Sequence, residues 1–426
     1  MPSVLRGVDH GDPIAIYRGE KVVDIVRKVL GGVRVVDLPL SIDSYYSLYL
    51  PHPLLKDPGE VPKELARNYL FFKVLLESEE FSRMRYSTIG NSTLSTLVAA
   101  IVLGEFEKAL EQLQQGSGGS SGSEEVTEEE MRELVSSVSK RVAESFNAVK
   151  SMMKLMSYGT EPGTGTAFDL EESGDEVIKL AQSADVRAIL ELLTKVPDVS
   201  GKIVRPYERY SKGEVRGFEI GGDVERVHPS EIAMPKILFR LKLAEGKLLL
   251  YDKVLPKSLG PLYVLVDKSG SMEGEKIVWA KATLLALLMR SRRESREFYM
   301  RFFDGMPHQL LRIGRRVKSR EFVEILKYLA RVKSGGGTDI TKAVITACDD
   351  IAGGGVKEVS DIVLITDGED RVASSALSKR LRDVGCRLHT VMIMGDNRDL
   401  RKISYRYLRA IKLTPREIIQ VLTFQP

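Results

Sequence analysis

Two rhythms of apolar residues divide this chain. In residues 60–115, ELARNYLFFKVLLESEEF and STLSTLVAAIVLGEFEKALEQLQ repeat apolar positions every three to four residues without an internal proline, which predicts helices. Thr127 with Glu130 three positions on has the form of a capping box. It starts EEEMRELVSSVSKRVAESFNAVKSMMKLM, a long amphipathic helix whose Met152, Met153 and Met156 are expected in the core rather than at a metal. SADVRAILELLTKV predicts a further helix. The first sixty residues are less regular: VVDIVRKVLGGVRVVDLPLSIDSYYSLYLPHPLL is expected to hold a short helix and a strand or extended arm. That stretch runs into the punctuation of Pro51, Pro53, Pro58 and Pro62.

From Leu262 the rhythm alternates. LYVLVD is a short apolar run of the buried-strand type, EKIVWAKATLLALLMRSRR a helix, EFYMRFF a strand and HQLLRI an edge strand. The helix REFVEILKYLARV, the turn GGGTD and the helix DITKAVITACDDIA come next. The strand DIVLITD, the helix ASSALSKRLRDV, the strand RLHTVMIM and a closing helix–strand–helix segment complete the chain. Such alternation implies a mostly parallel, doubly wound sheet, in which ligands bind beyond the carboxyl ends of the strands. The predicted organisation is a mainly α-helical domain over residues 1–200, an extended connector over 201–260 packing on the C-terminal domain, and that domain itself, Rossmann-like and α/β, over 261–426.

Two segments carry no chemistry. GSGGSSGS, Gly116 to Ser123, has the composition of an engineered flexible linker replacing a native loop, so its flanks are expected to be neighbours. Tyr158 to Glu176 is a Gly/Thr/acid-rich loop; Gly163 and Gly165 do not make it a phosphate loop, because the chain has no G-x-x-x-x-G-K-[ST] pattern.

Composition adds boundaries. A 43% hydrophobic and 29% charged chain with no apolar run near ~18 residues is not membrane-spanning. The N-terminus lacks the apolar core of a signal peptide, so a cytoplasmic location is expected. Cys348 and Cys386 are too few for a disulfide framework and lack zinc spacing, and are read as buried free thiols. The net charge of +4 conceals an asymmetry. Residues 261–426 carry 30 Lys+Arg against 20 Asp+Glu, and residues 1–260 carry 33 against 39. That contrast of +10 with −6 can steer an acidic partner or draw the two parts together.

The candidate chemistry gathers where the fold predicts a ligand. DKSGSM places Asp267, Ser269 and Ser271 after the first strand, GGGTD supplies Thr338, and ITDGED places Asp367 after a later strand. Two carboxylates with three neutral hydroxyls suit Mg²⁺, a hard ion that takes oxygen ligands and few anions. Gly270 and Gly335 to Gly337 suit the tight turns these loops require. The set resembles the metal-ion-dependent adhesion site of von Willebrand factor A (VWA) domains: D-x-S-x-S, then a Thr, then an Asp, in that order. The resemblance implies Mg²⁺, with Mn²⁺ or Ca²⁺ as alternatives, that accepts a partner's carboxylate; Lys268 occupies a free position of the motif.

The approach RGFEIGGDVERVHPSEIAMP, the connector ending LLLYDKV and then GPLYVLVDKSGSM resemble the CoxE/ViaA-type proteins that work beside MoxR-family AAA+ ATPases. This covers the chain well from about Val215, and residues 1–200 by architecture. It implies a non-enzymatic adaptor of a MoxR-type ATPase, engaging a protein client in chaperone-like remodelling or metal-centre maturation.

Other features have blander readings. Asp304 is equally a supporting acid of the site or a solvated turn residue, Asp339 caps a helix or holds a metal-bound water, with the cap the simpler reading, and Glu369 and Asp370 are exposed charges. His228, His308 and His389 are scattered, with no Ser or Cys partner by spacing. The basic runs SRRESR (Ser291 to Arg296) and GRRVKSR (Gly314 to Arg320) leave an alternative open: an RNA-binding protein of the Ro kind, which also joins a helical region to an A-domain. Solvated helix ends account for the same charges, and no aromatic RNA motif accompanies them. Phosphotransfer from Asp267 would want a second acid where Ser269 stands.

Overall fold

The computed structural model describes residues 3–32, 36–116, 127–157, 172–196, 207–256, 260–315, 319–354 and 361–424. The Gly/Ser stretch beyond Gly116, Gly163 and Gly165, and residues 316–318 of the second basic run lie outside them. The chain forms two compact units: Met1–Pro197 together with Pro261–Pro426, and Asp198–Gly260.

In the larger unit the first sixty residues give two helices, α1 (Pro13–Val29) and α2 (Leu38–Tyr49), rather than a helix and an extended arm. Each opens with an aspartate followed by a proline in the first turn. Asp12 caps α1 by accepting the Ile14 N–H at 2.8 Å. In α2, Leu40, Tyr45 and Leu48 form a buried face that a reading of SIDSYYSLY as extended chain overlooks. The predicted long helix after residue 60 is broken at Ser78 into α3 (Ala66–Glu77) and α4 (Glu79–Thr88).

Helix α5 (Ser92–Gly116) is apolar all round between Leu97 and Leu103 and is accordingly buried there, surrounded by α1, α2 and α6 (Glu128–Ser157). The capping box of α6 is formed: the Thr127 N–H donates to Glu130 Oε2 at 2.9 Å and the Glu130 N–H to Thr127 Oγ1 at 3.3 Å. Met152 and Met156 are buried in the core as expected, and Met153 is half-buried and packs against it. The helical part ends with α7 (Gly174–Gln182) and α8 (Ala184–Thr194).

The smaller unit is a hairpin. Strand β1 (Tyr207–Gly221) pairs antiparallel with β2 (Leu248–Pro256), and the short helices α9 (Pro229–Ile232) and α10 (Lys236–Ala244) lie between them in sequence. Val227, Leu248 and Leu250 form a small core with Phe239 and Leu243. The sequence pattern reads residues 201–260 as an extended connector; the structure instead has helix α10 at Lys236–Ala244 and pairs the strands on either side of it.

The remainder is a six-stranded sheet flanked by helices. Strands β3 (Leu262–Asp267), β4 (Phe298–Phe303), β5 (Leu311–Ile313), β6 (Asp361–Thr366), β7 (Arg387–Ile393) and β8 (Arg406–Ala410) lie in the order β5-β4-β3-β6-β7-β8. All neighbours are parallel except β4 and β5, so β5 is the antiparallel edge strand. Every residue of β3 and β6 is buried, as central strands of a sheet covered on both faces must be.

Strand alternation sorts the two faces. Leu262, Val264 and Val266 share a core with helices α11 (Glu275–Arg293), α12 (Ser319–Arg331) and the last helix, while Tyr263 and Leu265 share another with α13 (Ile340–Ala352) and α14 (Ser374–Val384). Helices α15 (Arg398–Ile403) and α16 (Pro415–Phe424) close the chain.

The first of these cores also contains the apolar residues of α1 to α8. Helix α8 packs on α11 and α7 on α12. Lys327 on α12 pairs with Glu176 on α7 at 2.6 Å. The buried Lys281 on α11 donates to the Val332 carbonyl at 2.6 Å, and burial lowers its pKa, with the Asp185 charge on α8 opposing. The helices before residue 197 and the sheet after 261 are therefore one folded body around a shared core. Among the described residues no helix is long and apolar enough to cross a membrane.

Candidate functional site

The chain leaves β3 toward β4 on one side and later returns to β6 on the other. The strand order reverses between these two, and the loops beyond their carboxyl ends diverge to open a crevice. Asp267 ends β3 and Asp367 immediately follows β6.

Asp267 is wholly buried, and both of its oxygens are engaged by this crevice. Oδ1 accepts the Ser269 N–H at 2.8 Å and Oδ2 accepts the Thr366 hydroxyl at 2.5 Å. Burial pushes its pKa up and the charge of Asp367 adds to that rise, against the hydrogen bonds from Thr366 and Ser269. Ser269 and Ser271 stand with their hydroxyls 3.2 Å apart. Asp367 is 3% exposed; its Oδ2 accepts from Lys276 Nζ at 3.0 Å, while its Oδ1 is buried with no hydrogen-bond partner.

Thr338 reaches the same edge on a loop stapled to the first one by backbone bonds. The Gly335 N–H donates to the Lys268 carbonyl at 2.8 Å, and the Gly270 N–H to the Gly336 carbonyl at 3.1 Å. Just past Thr338 the Asp339 N–H donates to the Asp304 carbonyl at 3.0 Å. Gly336 has φ +87°, and a Cβ there would sit 3.2 Å from the Asp304 side chain, so glycine is the residue this crossing accommodates. Gly395 performs the same service behind Asp367, since a Cβ would meet the Asp367 carbonyl oxygen at 2.1 Å. The fold thus brings all five predicted residues to one edge.

The residues around them have definite roles. Asp304 belongs to the site's edge rather than to solvent: its Oδ2 accepts from Lys268 Nζ at 2.7 Å and contacts His308 Nε2 at 2.8 Å. Burial would raise its carboxyl, but the bonds from Lys268, the Met306 backbone and His308 outweigh it and hold the pKa well below the usual range. Asp339 caps α13 through the Lys342 N–H at 2.8 Å. Asp370 is more than an exposed charge, because its Oδ2 accepts the Ile340 N–H at 2.9 Å and anchors the start of the same helix.

Two contributors escaped sequence reasoning. Asn397 donates to the carbonyls of Gly368 and Asp370 at 3.1 and 3.0 Å, fixing the loop after Asp367, while its Oδ1 caps α15. Its one visible signal was the helix-capping position in GDNRDL. Lys276 also donates to the Ser271 carbonyl at 2.9 Å, so one ammonium ties the D-x-S-x-S loop to the second carboxylate. Nothing in the sequence distinguished it from the other lysines.

The donor chemistry suits a hard divalent cation. A buried carboxylate oxygen without a partner is rare and costly, and here it stands beside a second buried carboxylate and two hydroxyls. Among the described residues no group of three or more His, Cys, Asp or Glu could hold a metal. Two carboxylates with neutral hydroxyls suit a hard ion that takes oxygen ligands and few anions. A cleft of about 850 Å³, lined by none of the five predicted residues, is walled in part by Asp185, Leu192, Glu273, Trp279, Lys281 and Lys333.

The SRRESR run is not a solvated patch. Arg292 and Arg296 are buried, Arg290 and Arg296 both bond Glu294, and Arg296 lies 3.7 Å from Asp361. Both cysteines are buried free thiols; burial pushes Cys348 up to about 12 and Cys386 to about 11.

Fold and edge together define a VWA domain. Residues 254–414 match the family of VWA domain containing CoxE-like proteins, so this part of the chain is a VWA domain of the CoxE-like kind. Such domains generally mediate protein–protein interaction through metal-dependent sites. The uncharacterized protein MJ0811 of Methanocaldococcus jannaschii is 27% identical over 365 residues, covering 76% of this chain and 79% of that protein. Mouse inter alpha-trypsin inhibitor heavy chain 4 is 28% identical over 127 residues, 28% of this chain and 13% of that one. Among solved structures, von Willebrand factor type A from Catenulispora acidiphila is similar at 17% identity and a TM-score of 0.30, covering 40% of this chain and 43% of its own.

Proposed function

We propose that this edge is a metal-ion-dependent adhesion site through which the protein binds a partner or client. Asp267, Ser269, Ser271, Thr338 and Asp367 would hold Mg²⁺, with Mn²⁺ or Ca²⁺ as substitutes. The observation that carries this reading is the buried, unpartnered Oδ1 of Asp367 next to the buried Asp267. Bound there, Mg²⁺ would offer an electrophilic position that a carboxylate of the partner completes. The chain's own part is positional. Thr366 and the Ser269 N–H fix the Asp267 carboxylate, Asn397 fixes the loop after Asp367, and the Gly336 crossing holds the Thr338 loop against the first.

The reading extends to a cytoplasmic, non-enzymatic adaptor of a MoxR-family AAA+ ATPase, acting in chaperone-like remodelling or metal-centre maturation. The CoxE-like match over residues 254–414 supports that extension. The test is capture from native lysate with Mg²⁺, with EDTA, and with Asp267→Ala in Mg²⁺. An acidic protein partner and a AAA+ ATPase are expected with Mg²⁺. The partner should be lost in the other two samples; recovery of the same proteins in all three refutes the metal bridge.

A further inference from the structure

Lys276 is in an unexpected place. It lies in the first turn of α11, where the aligned backbone N–H groups make a cation unfavourable. It is nevertheless three-quarters buried, with Nζ 3.0 Å from Asp367 Oδ2 and 2.9 Å from the Ser271 carbonyl. Both contacts are on residues of the proposed ligand set, and the oxygen it leaves alone, Asp367 Oδ1, is the one without a partner. A single positive charge thus sits against Asp367, one of the two buried carboxylates at this edge.

We propose that Lys276 is a built-in competitor of the metal: a tethered cation that balances Asp367 and sets how tightly the site takes a divalent ion. The inference rests on the metal-site reading and deepens it into a means of tuning. Its physical basis is that two cations sharing one carboxylate repel strongly where water is largely excluded. The lysine weakens metal affinity, and it also relieves the cost of two adjacent buried carboxylates. Binding that depends on displacing Lys276 is reversible. A weakened affinity also makes a partner's carboxylate a larger share of what holds the ion, which couples metal and partner occupancy.

The test is Mn²⁺ titration followed by electron paramagnetic resonance, with thermal midpoints in EDTA and in Mn²⁺, on the full chain and on Lys276→Met, Lys276→Arg and Asp267→Ala. Lys276→Met should bind Mn²⁺ at least about tenfold more tightly. Its midpoint in EDTA should fall by several degrees and recover with Mn²⁺ by more than the unmodified protein gains. Lys276→Arg, which keeps the charge, should behave like the unmodified chain, and Asp267→Ala should not bind. Mn²⁺ bound by the unmodified protein, with equal or weaker binding by Lys276→Met, overturns the role of the lysine alone. Binding by neither protein overturns the metal site and this inference with it. A Lys276→Met chain that fails to fold even in Mn²⁺ shifts the decision to Lys276→Arg, whose affinity must then match the unmodified protein within about threefold.

Discussion

Strand β6 is flanked by two buried aspartates that the fold treats in opposite ways. Asp361, at its start, is supplied with more positive charge than it needs: His389 Nε2 lies at 3.0 Å, Arg387 at 3.2 Å and Arg296 at 3.7 Å. Although burial raises its carboxyl, His389 and the two arginines outweigh it and the pKa is lowered. Asp367, just past the other end, has one lysine on one oxygen, nothing on the other, and a second buried carboxylate nearby. A saturated buried carboxylate is structural, and an under-supplied one is an invitation to a cation. The same contrast bears on the SRRESR run, where Arg296 is committed to Asp361 and Glu294 rather than to solvent.

The contrast can be pressed hardest at its structural end. Asp361→Ala takes the carboxylate from buried His389 and leaves buried Arg296 with Glu294 alone, and should cost about 3–5 kcal/mol in denaturant unfolding. Mn²⁺ affinity in the folded fraction should be unchanged; a loss below 1 kcal/mol would mean the two ends do not differ as described. The pH profile gives the sign of the same pair. Because the folded pKa of Asp361 lies below its unfolded value near ~4, its contribution is complete above that value and is lost as pH falls through the folded pKa. Asp361→Asn should therefore lack part of the acid limb of the stability curve that the unmodified protein shows.

A smaller effect is expected at the crossing of the two loops. Gly336→Ala places a side chain at φ +87° and 3.2 Å from Asp304, and should cost about 1–2 kcal/mol. It should also weaken Mn²⁺ binding severalfold through Thr338, which equilibrium unfolding and metal titration on one sample will separate. Unaltered metal binding would remove the Thr338 loop from the site.

Much of this was legible in the sequence because backbone period and loop order are local properties. LYVLVD and DIVLIT are short apolar runs of the buried-strand type, and alternation with helices set the sheet class and hence the edge where Asp267 and Asp367 would meet. What was illegible depends on partners far apart in the chain. Lys276 and Asp367 are 91 residues apart, Asn397 reaches back to Gly368, and no periodicity encodes either. The two helices before residue 60 were obscured because α2 buries Ser41, Asp43, Ser44 and Ser47 alongside its apolar residues. Its pattern therefore lacks the polar face by which an amphipathic helix is recognised. The union of the helical part with the sheet was hidden too, since the outer faces of α11 and α12 look like ordinary core faces until α7 and α8 are laid on them.

The central claim is that Asp367 is an incomplete carboxylate awaiting a divalent ion, and Mn²⁺ paramagnetic resonance on the unmodified chain beside Asp367→Asn tests it most directly. The asparagine keeps the shape and an acceptor for Lys276 while removing the charge. One saturable Mn²⁺ site, displaced by Mg²⁺ and lost in Asp367→Asn with the fold intact, is the predicted result; no binding, or equal binding by both proteins, contradicts it.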